Sequence, residues 1–317
     1  MLKEYPEVSI LMAVYEPRMD WFEKQLKSLN SQDYPNLSLI VLDDCSPKTP
    51  FKEIEEMVKK HILNFPFKIL RNEHNTGSTK AFERLVAEAD TPFIAFCDQD
   101  DIWESFKISV CMETLLKERA IFVCSDVKVI DGEDNIIAES ITDVNRRHSF
   151  ENLSAEGLVF KNFAIGCTVV METKVAKDAM PFIDGMVHDH WLALFAASTG
   201  KICVCPQKLI RYRIHGGNQT GVLSKIKTKD DYFKMRILPF KNQILQIEKR
   251  LDLKILPAAK EWAFAREDFF LKRTGAFKKL WKHRKLNLPV SLFEIATRFM
   301  PDFLYKILLK ALQKGMI

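Results

Sequence analysis

Two kinds of apolar pattern alternate along the first hundred residues. "VSILMAVYEP" is a nearly continuous apolar run closed by Pro17, the pattern of a strand covered on both faces. "DWFEKQLKSLNSQ" follows, with Trp21, Phe22, Leu26 and Leu29 at helical spacing and Asp20 placed to cap the helix. The alternation repeats. "LSLIVLDDCS", "FKILRNEHN" and "PFIAFCDQDD" read as buried strands. "PFKEIEEMVKKHIL" and "STKAFERLVAEA" between them read as amphipathic helices. This order predicts an α/β, doubly wound and mostly parallel sheet with right-handed crossovers. Ligands of such sheets bind beyond the C-terminal ends of the strands. Tyr15, Asp43, Asp44, Arg71, Asp98 and Asp100 all fall at or just after those ends.

The pattern changes after Trp103. "FKISVCMETLLKE" is helical, and "AIFVCSDVKVID" is a strand closed by the turn "DGEDN". "FKNFAIGCTVVMETKVA" reads as a strand entering a helix. "HDHWLALFAASTG" is a helix with Gly200 as its C′ stop, a position usually left-handed. "KICVCPQKLIRYRIHGGNQTG" is a strand running into a glycine loop. Beyond Ser224 the chain reads as helices rich in Lys and aromatics.

Charge divides the chain at the same place. Residues 225–317 carry 22 Lys plus Arg against 9 Asp plus Glu, whereas residues 1–224 carry a net of −8. The expected organisation is a catalytic domain at 1–224 and a basic helical region at 225–317. The tail "FKKLWKHRKLNLPVSLFEIATRFMPDFLYKILLKALQK" is the pattern of helices that lie on anionic membrane. Packing on the catalytic domain or on a second copy explains the same apolar residues equally well. The seven cysteines are scattered and mostly in apolar runs, so reduced thiols and a cytosolic setting are expected. The opening residues do not read as a signal peptide, and no run is long enough to span a bilayer.

"CDQDD" places Asp98, Asp100 and Asp101 within four residues of a strand end. A hard divalent cation, Mg²⁺ or Mn²⁺, would offset their repulsion and bridge to a substrate diphosphate. "MVHDHW" places Asp189 at a helix start, flanked by His188, His190 and Trp191. A carboxylate there is a general base or a helix cap. In "RYRIHGGNQTG", Arg211 and Arg213 alternate along a strand, and His215 precedes a glycine pair that exposes backbone N–H groups.

In combination, "VSILMAVYEP", "LKSLNSQDYPNLSLIVLDDCS", "NTGSTKAF" and "FIAFCDQDDIW" resemble the family 2 glycosyltransferases with a GT-A fold, over roughly residues 7–220. The resemblance implies a nucleotide-sugar site built from Ala13, Tyr15, Glu16, Asp43, Asp44, Arg71, Lys80, Asp98, Gln99 and Asp101. Tyr15 would stack on the base and Asp44 would bond it. Glu16 stands where the family often has Asn. Asp100, Asp98 and His215 would hold the metal. Asp189 would be the catalytic base, with His188, His190, Trp191, Arg213 and Asn218 on the acceptor or diphosphate side. The implied partners are a nucleoside-diphosphate sugar and a glycan or lipid-linked glycan acceptor. "CDQDDIW" with "YRIHGGNQTG" particularly resembles rhamnosyltransferases of bacterial surface polysaccharides, which implies a dTDP-rhamnose donor. Competing readings are a nucleotidyltransferase, a glycoside hydrolase and a non-catalytic nucleotide-sugar-binding subunit. "AVYEPRMDW" lacks the glycine-rich phosphate loop expected of the first. Hydrolysis needs no Asp-x-Asp metal site. No motif supports nucleic-acid binding.

Overall fold

The computed structural model describes residues 5–145, 148–151, 153–216, 223 and 225–313. They form two compact units. The first comprises residues up to Phe182 and Met186–His215, and the second comprises Ile183–Gly185 and the residues from Gly216 onward. The boundary expected at 224 therefore lies inside the second unit.

The first unit is a nine-stranded sheet. Its strands are β1 Val8–Val14, β2 Leu37–Asp43, β3 Phe67–Arg71, β4 Phe93–Cys97, β5 Ile102–Trp103, β6 Phe122–Ile130, β7 Ile136–Ala138, β8 Val170–Glu172 and β9 Ile202–Arg213. The spatial order is β3-β2-β1-β4-β8-β6-β9-β5, with β7 beside β6. β1 to β4 are parallel, as the alternation predicts. Beyond β4 the sheet is mixed, because β8 runs antiparallel to both β4 and β6. β1 and β2 are buried along nearly their whole length, which accounts for their unbroken apolar sequences.

The flanking helices are α1 Met19–Asn30, α2 Phe51–His61, α3 Ser78–Glu88, α4 Lys107–Glu118, α5 Ile141–Val144, α6 Ala155–Leu158, α7 Thr173–Asp178 and α8 His188–Thr199. Each of the long ones buries an apolar stripe, such as Ala81, Phe82, Leu85 and Val86 of α3. Two terminal assignments are corrected. Asp20 does not cap α1, which starts one residue earlier; it sits in the first turn and pairs with Arg18 at 2.8 Å. Gly200 ends α8 in extended rather than left-handed backbone, at φ −169°. A Cβ there would lie 2.7 Å from Ile121 Cδ1, so any larger residue would push that side chain aside. The stretch expected as a strand entering a helix is mostly irregular from Phe160 to Ile165, and regular structure begins at Gly166.

The second unit is helical: α9 Lys229–Tyr232, α10 Leu238–Ile247, α11 Leu256–Phe270, α12 Ala276–His283, α13 Leu288–Arg298 and α14 Asp302–Gln313. Its apolar tail residues divide their loyalties. Tyr305 and Leu309 pack with Ile226, Tyr232 and Ile237 into a core of its own, with Phe293 against it. Phe299, Phe303 and Ile307 remain exposed, at 81, 64 and 62%. A buried bidentate pair, Arg266 with Glu294 at 2.7 Å, receives the Tyr232 hydroxyl at 2.9 Å. Among the described residues no helix is long and apolar enough to cross a membrane.

Candidate active site

The C-terminal ends of β1, β2 and β4 converge, and short side chains lock their loops together. Gln99 donates from Nε2 to the Tyr15 carbonyl at 3.0 Å and accepts at Oε1 from the Tyr15 N–H at 2.8 Å. The amide is thereby consumed in positioning Tyr15, which leaves the Tyr15 ring 44% exposed at the rim. Ala13 lies half-buried on β1 below it. Glu16, at φ +46°, accepts from the Lys48 and Thr49 N–H groups.

Asp43 and Asp44 are buried and engaged by the chain. Asp43 accepts from the Ser46 N–H and hydroxyl and faces Arg71 Nε at 3.3 Å. Asp44 accepts from Asn72 Nδ2, from the N–H and hydroxyl of Thr76, and from the Gly77 N–H. These contacts close the loop Asn72–Gly77 that leads into α3. Lys80, exposed on the first turn of α3, pairs with Glu83 at 2.9 Å.

After β4 the carboxylates lack such saturation. Burial raises Asp98 well above the usual carboxylate range, and Asp101 and Asp100 push it further. Burial, with Asp100 beside it, pushes Asp101 up to about 7. Donor atoms of Asp98, Asp101 and Cys167 lie within 4.8 Å of one another. Asp101 Oδ1 accepts from the Arg213 N–H at 2.9 Å, and its buried Oδ2 has no conventional hydrogen-bond partner among the described residues. Beneath this cluster lies Lys107, fully buried, with Nζ donating to the Cys167 carbonyl and standing 3.0 Å from the Trp103 ring centre. Burial lowers Lys107 to about 8. On the outer side, His215 Nε2 meets Asp100 Oδ2 at 2.7 Å.

Asp189 is the second residue of α8, so the cap position belongs to Val187, whose side chain forms no cap bond. Three donors fix the carboxylate: Asn162 Nδ2 at 3.1 Å, the Gly166 N–H at 3.0 Å and the His190 N–H at 2.6 Å. Burial nevertheless outweighs them and raises Asp189 to about 6. Asp189 is near enough to Asp98 to contribute to that residue's upward shift.

Several expected contacts are corrected. Asp101 is fully buried and held by the Arg213 N–H rather than exposed on the rim. Arg213 is buried as well; its guanidinium donates to the Asp100 and Asp131 carbonyls and pairs with Asp134 at 2.6 Å. It is a clamp between strand ends, not a phosphate ligand. Trp191 is core, with Nε1 donating to the Ala179 carbonyl. His188 is buried against Phe82 and Phe96, and burial lowers it to about 3. His190 meets the Leu158 carbonyl at 2.6 Å and is lowered by burial to about 4. Neither histidine suits proton transfer near neutral pH. Asn218 lies outside the described residues. Asn162, Gly166, Cys167 and Lys107 were not anticipated. A Cβ on Gly166 would lie 2.8 Å from His188 Nε2, so this glycine permits the close approach that brings its N–H to Asp189.

The donor set fits a hard divalent cation. It offers crowded carboxylates, an Asp101 side chain whose side-chain partner is the weakly donating Cys167 thiol, and an imidazole on the Asp100 side. The Cys167 thiol is held protonated by burial and would not ligate such an ion.

A mixed α/β sheet with its polar residues delivered to one rim is here the GT-A architecture of sugar-transferring enzymes. The chain belongs to glycosyl transferase family 2, whose model matches residues 9–178, and it is a glycosyltransferase. It is 27% identical over 210 residues to the UDP-Glc:alpha-D-GlcNAc-diphosphoundecaprenol beta-1,3-glucosyltransferase WfgD of Escherichia coli, covering 65% of this chain and 77% of that one. It is 28% identical over 235 residues to the dTDP-rhamnosyl transferase RfbG of Shigella flexneri, covering 69 and 76%. The fold is similar to that of S. aureus TarS in complex with UDP-GlcNAc, at TM-score 0.61 and 16% identity over 98% of this chain and 92% of that one. It is also similar to that of the mannosyltransferase PcManGT of Pyrobaculum calidifontis, at TM-score 0.57 and 13% identity over 98 and 86%.

Proposed function

We propose that the protein is an inverting, metal-dependent glycosyltransferase. It takes a sugar from a nucleoside-diphosphate donor and places it on a glycan or lipid-linked glycan acceptor in cell-surface polysaccharide synthesis. The observation that carries the reading is Asp189: a carboxylate raised to about 6, fixed by three donors, close to the Asp98–Asp101 cluster. In a single displacement the acceptor oxygen attacks the anomeric carbon and its proton passes to an Asp189 oxygen. The bond to the diphosphate breaks and its electron pair leaves with the diphosphate oxygen. Asp189 is ionised near neutral pH, yet basic enough to accept that proton. Asp98, Asp100 and His215 would hold Mg²⁺ or Mn²⁺, which when bound neutralises charge on the departing diphosphate. Tyr15 offers its exposed ring to the base, and Gln99 keeps it in place.

Asp100→Ala tests the metal assignment. Transfer should be lost while the melting temperature stays near that of the wild type. Full, chelator-sensitive turnover in the variant would refute it. Donor identity is open to a panel of nucleotide sugars: the RfbG likeness favours dTDP-rhamnose, and the WfgD likeness favours UDP-glucose. The preferred donor raises the melting temperature by mass action in the presence of Mn²⁺. The exposed Phe299, Phe303 and Ile307, with Lys306 and Lys310 exposed on α14, support a peripheral position on an anionic membrane face. Co-sedimentation with anionic vesicles that is reversed by salt is the expected result. Failure to sediment at low salt would assign this face to self-association instead.

A further inference from the structure

The second unit contains a cavity of about 350 Å³, within the size range of small-ligand sites. Its walls are chemically biased. Lys229, Arg266, Lys272 and Arg298 line it against one carboxylate, Glu294. Glu294 is spent on Arg266. Lys229 is partly answered by Asp302 at 3.5 Å. Lys272 and Arg298 have no carboxylate partner among the described residues; Arg298 uses only Nε, on the Phe269 carbonyl. Two cationic groups thus face a space floored by Ile237, Phe269 and Phe270.

A second, independent observation points the same way. Tyr305 lines the cavity, is 98% buried, and its hydroxyl has no hydrogen-bond partner among the described residues. A buried hydroxyl without a partner is costly, and such groups in folded proteins commonly mark a missing ligand. An O–H donor beside two cations that lack a carboxylate partner suits an acceptor-rich anion.

We propose that this cavity binds a phosphate-type anion, with Lys272 and Arg298 supplying charge and the Tyr305 hydroxyl donating to an anion oxygen. Arg298 matches two phosphate oxygens with its planar fork, and Lys272 adds a point charge. Arg298 is half-buried against Phe269, which strengthens its attraction to an anion, while Lys272 is exposed to solvent. The chemistry suits a lipid phosphate headgroup and free phosphate alike. Its lining residues all belong to the second unit, and none belongs to the carboxylate rim.

The test uses the full chain and thermal melting at constant ionic strength. One arm titrates inorganic phosphate. The other adds phosphatidylcholine vesicles with or without phosphatidic acid. Wild type should gain stability in at least one arm, and the arm that responds identifies the source. Lys272→Glu and Arg298→Gln should each weaken the response tenfold or more while melting normally without the probe. Tyr305→Phe should also weaken it, with its unliganded melting temperature unchanged or raised because an unpartnered hydroxyl is removed. No response in either arm overturns the proposal. A response undiminished in Lys272→Glu also overturns it, because the anion then sits elsewhere. A fall in the unliganded stability of Tyr305→Phe shows the hydroxyl was already satisfied and has the same result.

Discussion

β2 and β4 end alike in sequence, "LDD" against "CDQDD", yet their aspartates have opposite fates. Asp44 is met by Asn72, the Thr76 N–H and hydroxyl and the Gly77 N–H until its acceptor capacity is largely used, whereas Asp43 has one oxygen bonded by Ser46 and the other, without a hydrogen-bond partner among the described residues, offset by Arg71 at 3.3 Å. Half-buried Asp98 and fully buried Asp101 have fewer donors than Asp44 and repel one another. A carboxylate that the chain satisfies holds a loop. A carboxylate that the chain leaves short of donors is free to answer something else. Asp189 stands between the two: held by three donors, it is still pushed up by burial.

The largest test of that contrast is Asp189→Asn. It keeps the shape but removes the base, so kcat should fall by about 10² to 10⁴ with the donor dissociation constant unchanged. Near-normal turnover would reduce Asp189 to a loop anchor like Asp44. Next comes Asp44→Ala. Loss of several hydrogen bonds to one charged acceptor should cost about 2–3 kcal/mol in urea denaturation, with kcat at saturating donor preserved. A stable variant with a raised donor KM would instead make Asp44 a base-binding residue.

The pH profile gives a third, smaller effect. Asp189 must be ionised to act, and it protonates as pH falls through about 6. Activity should therefore drop on the acid side, about tenfold per unit well below that value. The limb should vanish from the residual rate of Asp189→Asn. The smallest effect belongs to Gln99→Ala. Freeing the Tyr15 backbone should raise donor KM by about threefold, half a logarithmic unit or about 0.7 kcal/mol, and leave kcat alone.

The strand–helix alternation made the parallel half of the sheet legible, because buried parallel strands cannot hide their apolar runs. The rim was legible as a place for the same reason. What each residue does there was less so. Arg213 and Arg211 sit two apart on β9 and look interchangeable, yet Arg213 is buried as a clamp while Arg211 pairs with Glu104 near the surface. His188 and Trp191 look like acceptor-side groups but are packed inward by the register of α8. Alternation gives the face of an element, not the depth of its neighbour. Asn162 and Gly166 were missed because irregular backbone has no period to read. Their signal was the break itself, an Asn and a Gly interrupting an apolar run.

Among the described residues β9 is the last strand in chain order, yet it lies in the sheet between β6 and β5. Its far end brings the Arg213 clamp and leads directly to His215. Tyr15, the aspartates of the rim and Asp189 therefore all precede in the chain the strand whose Arg213 holds Asp100 and Asp101 in place. Pairings this distant in sequence form slowly. A chain lacking β9 thus leaves an edge of β6 and the two-residue β5 unpaired, open to misassembly and without the Arg213 contacts to its cluster of acids. Assembly and competence coincide in one late event, so an unfinished copy would not be expected to spend activated sugar.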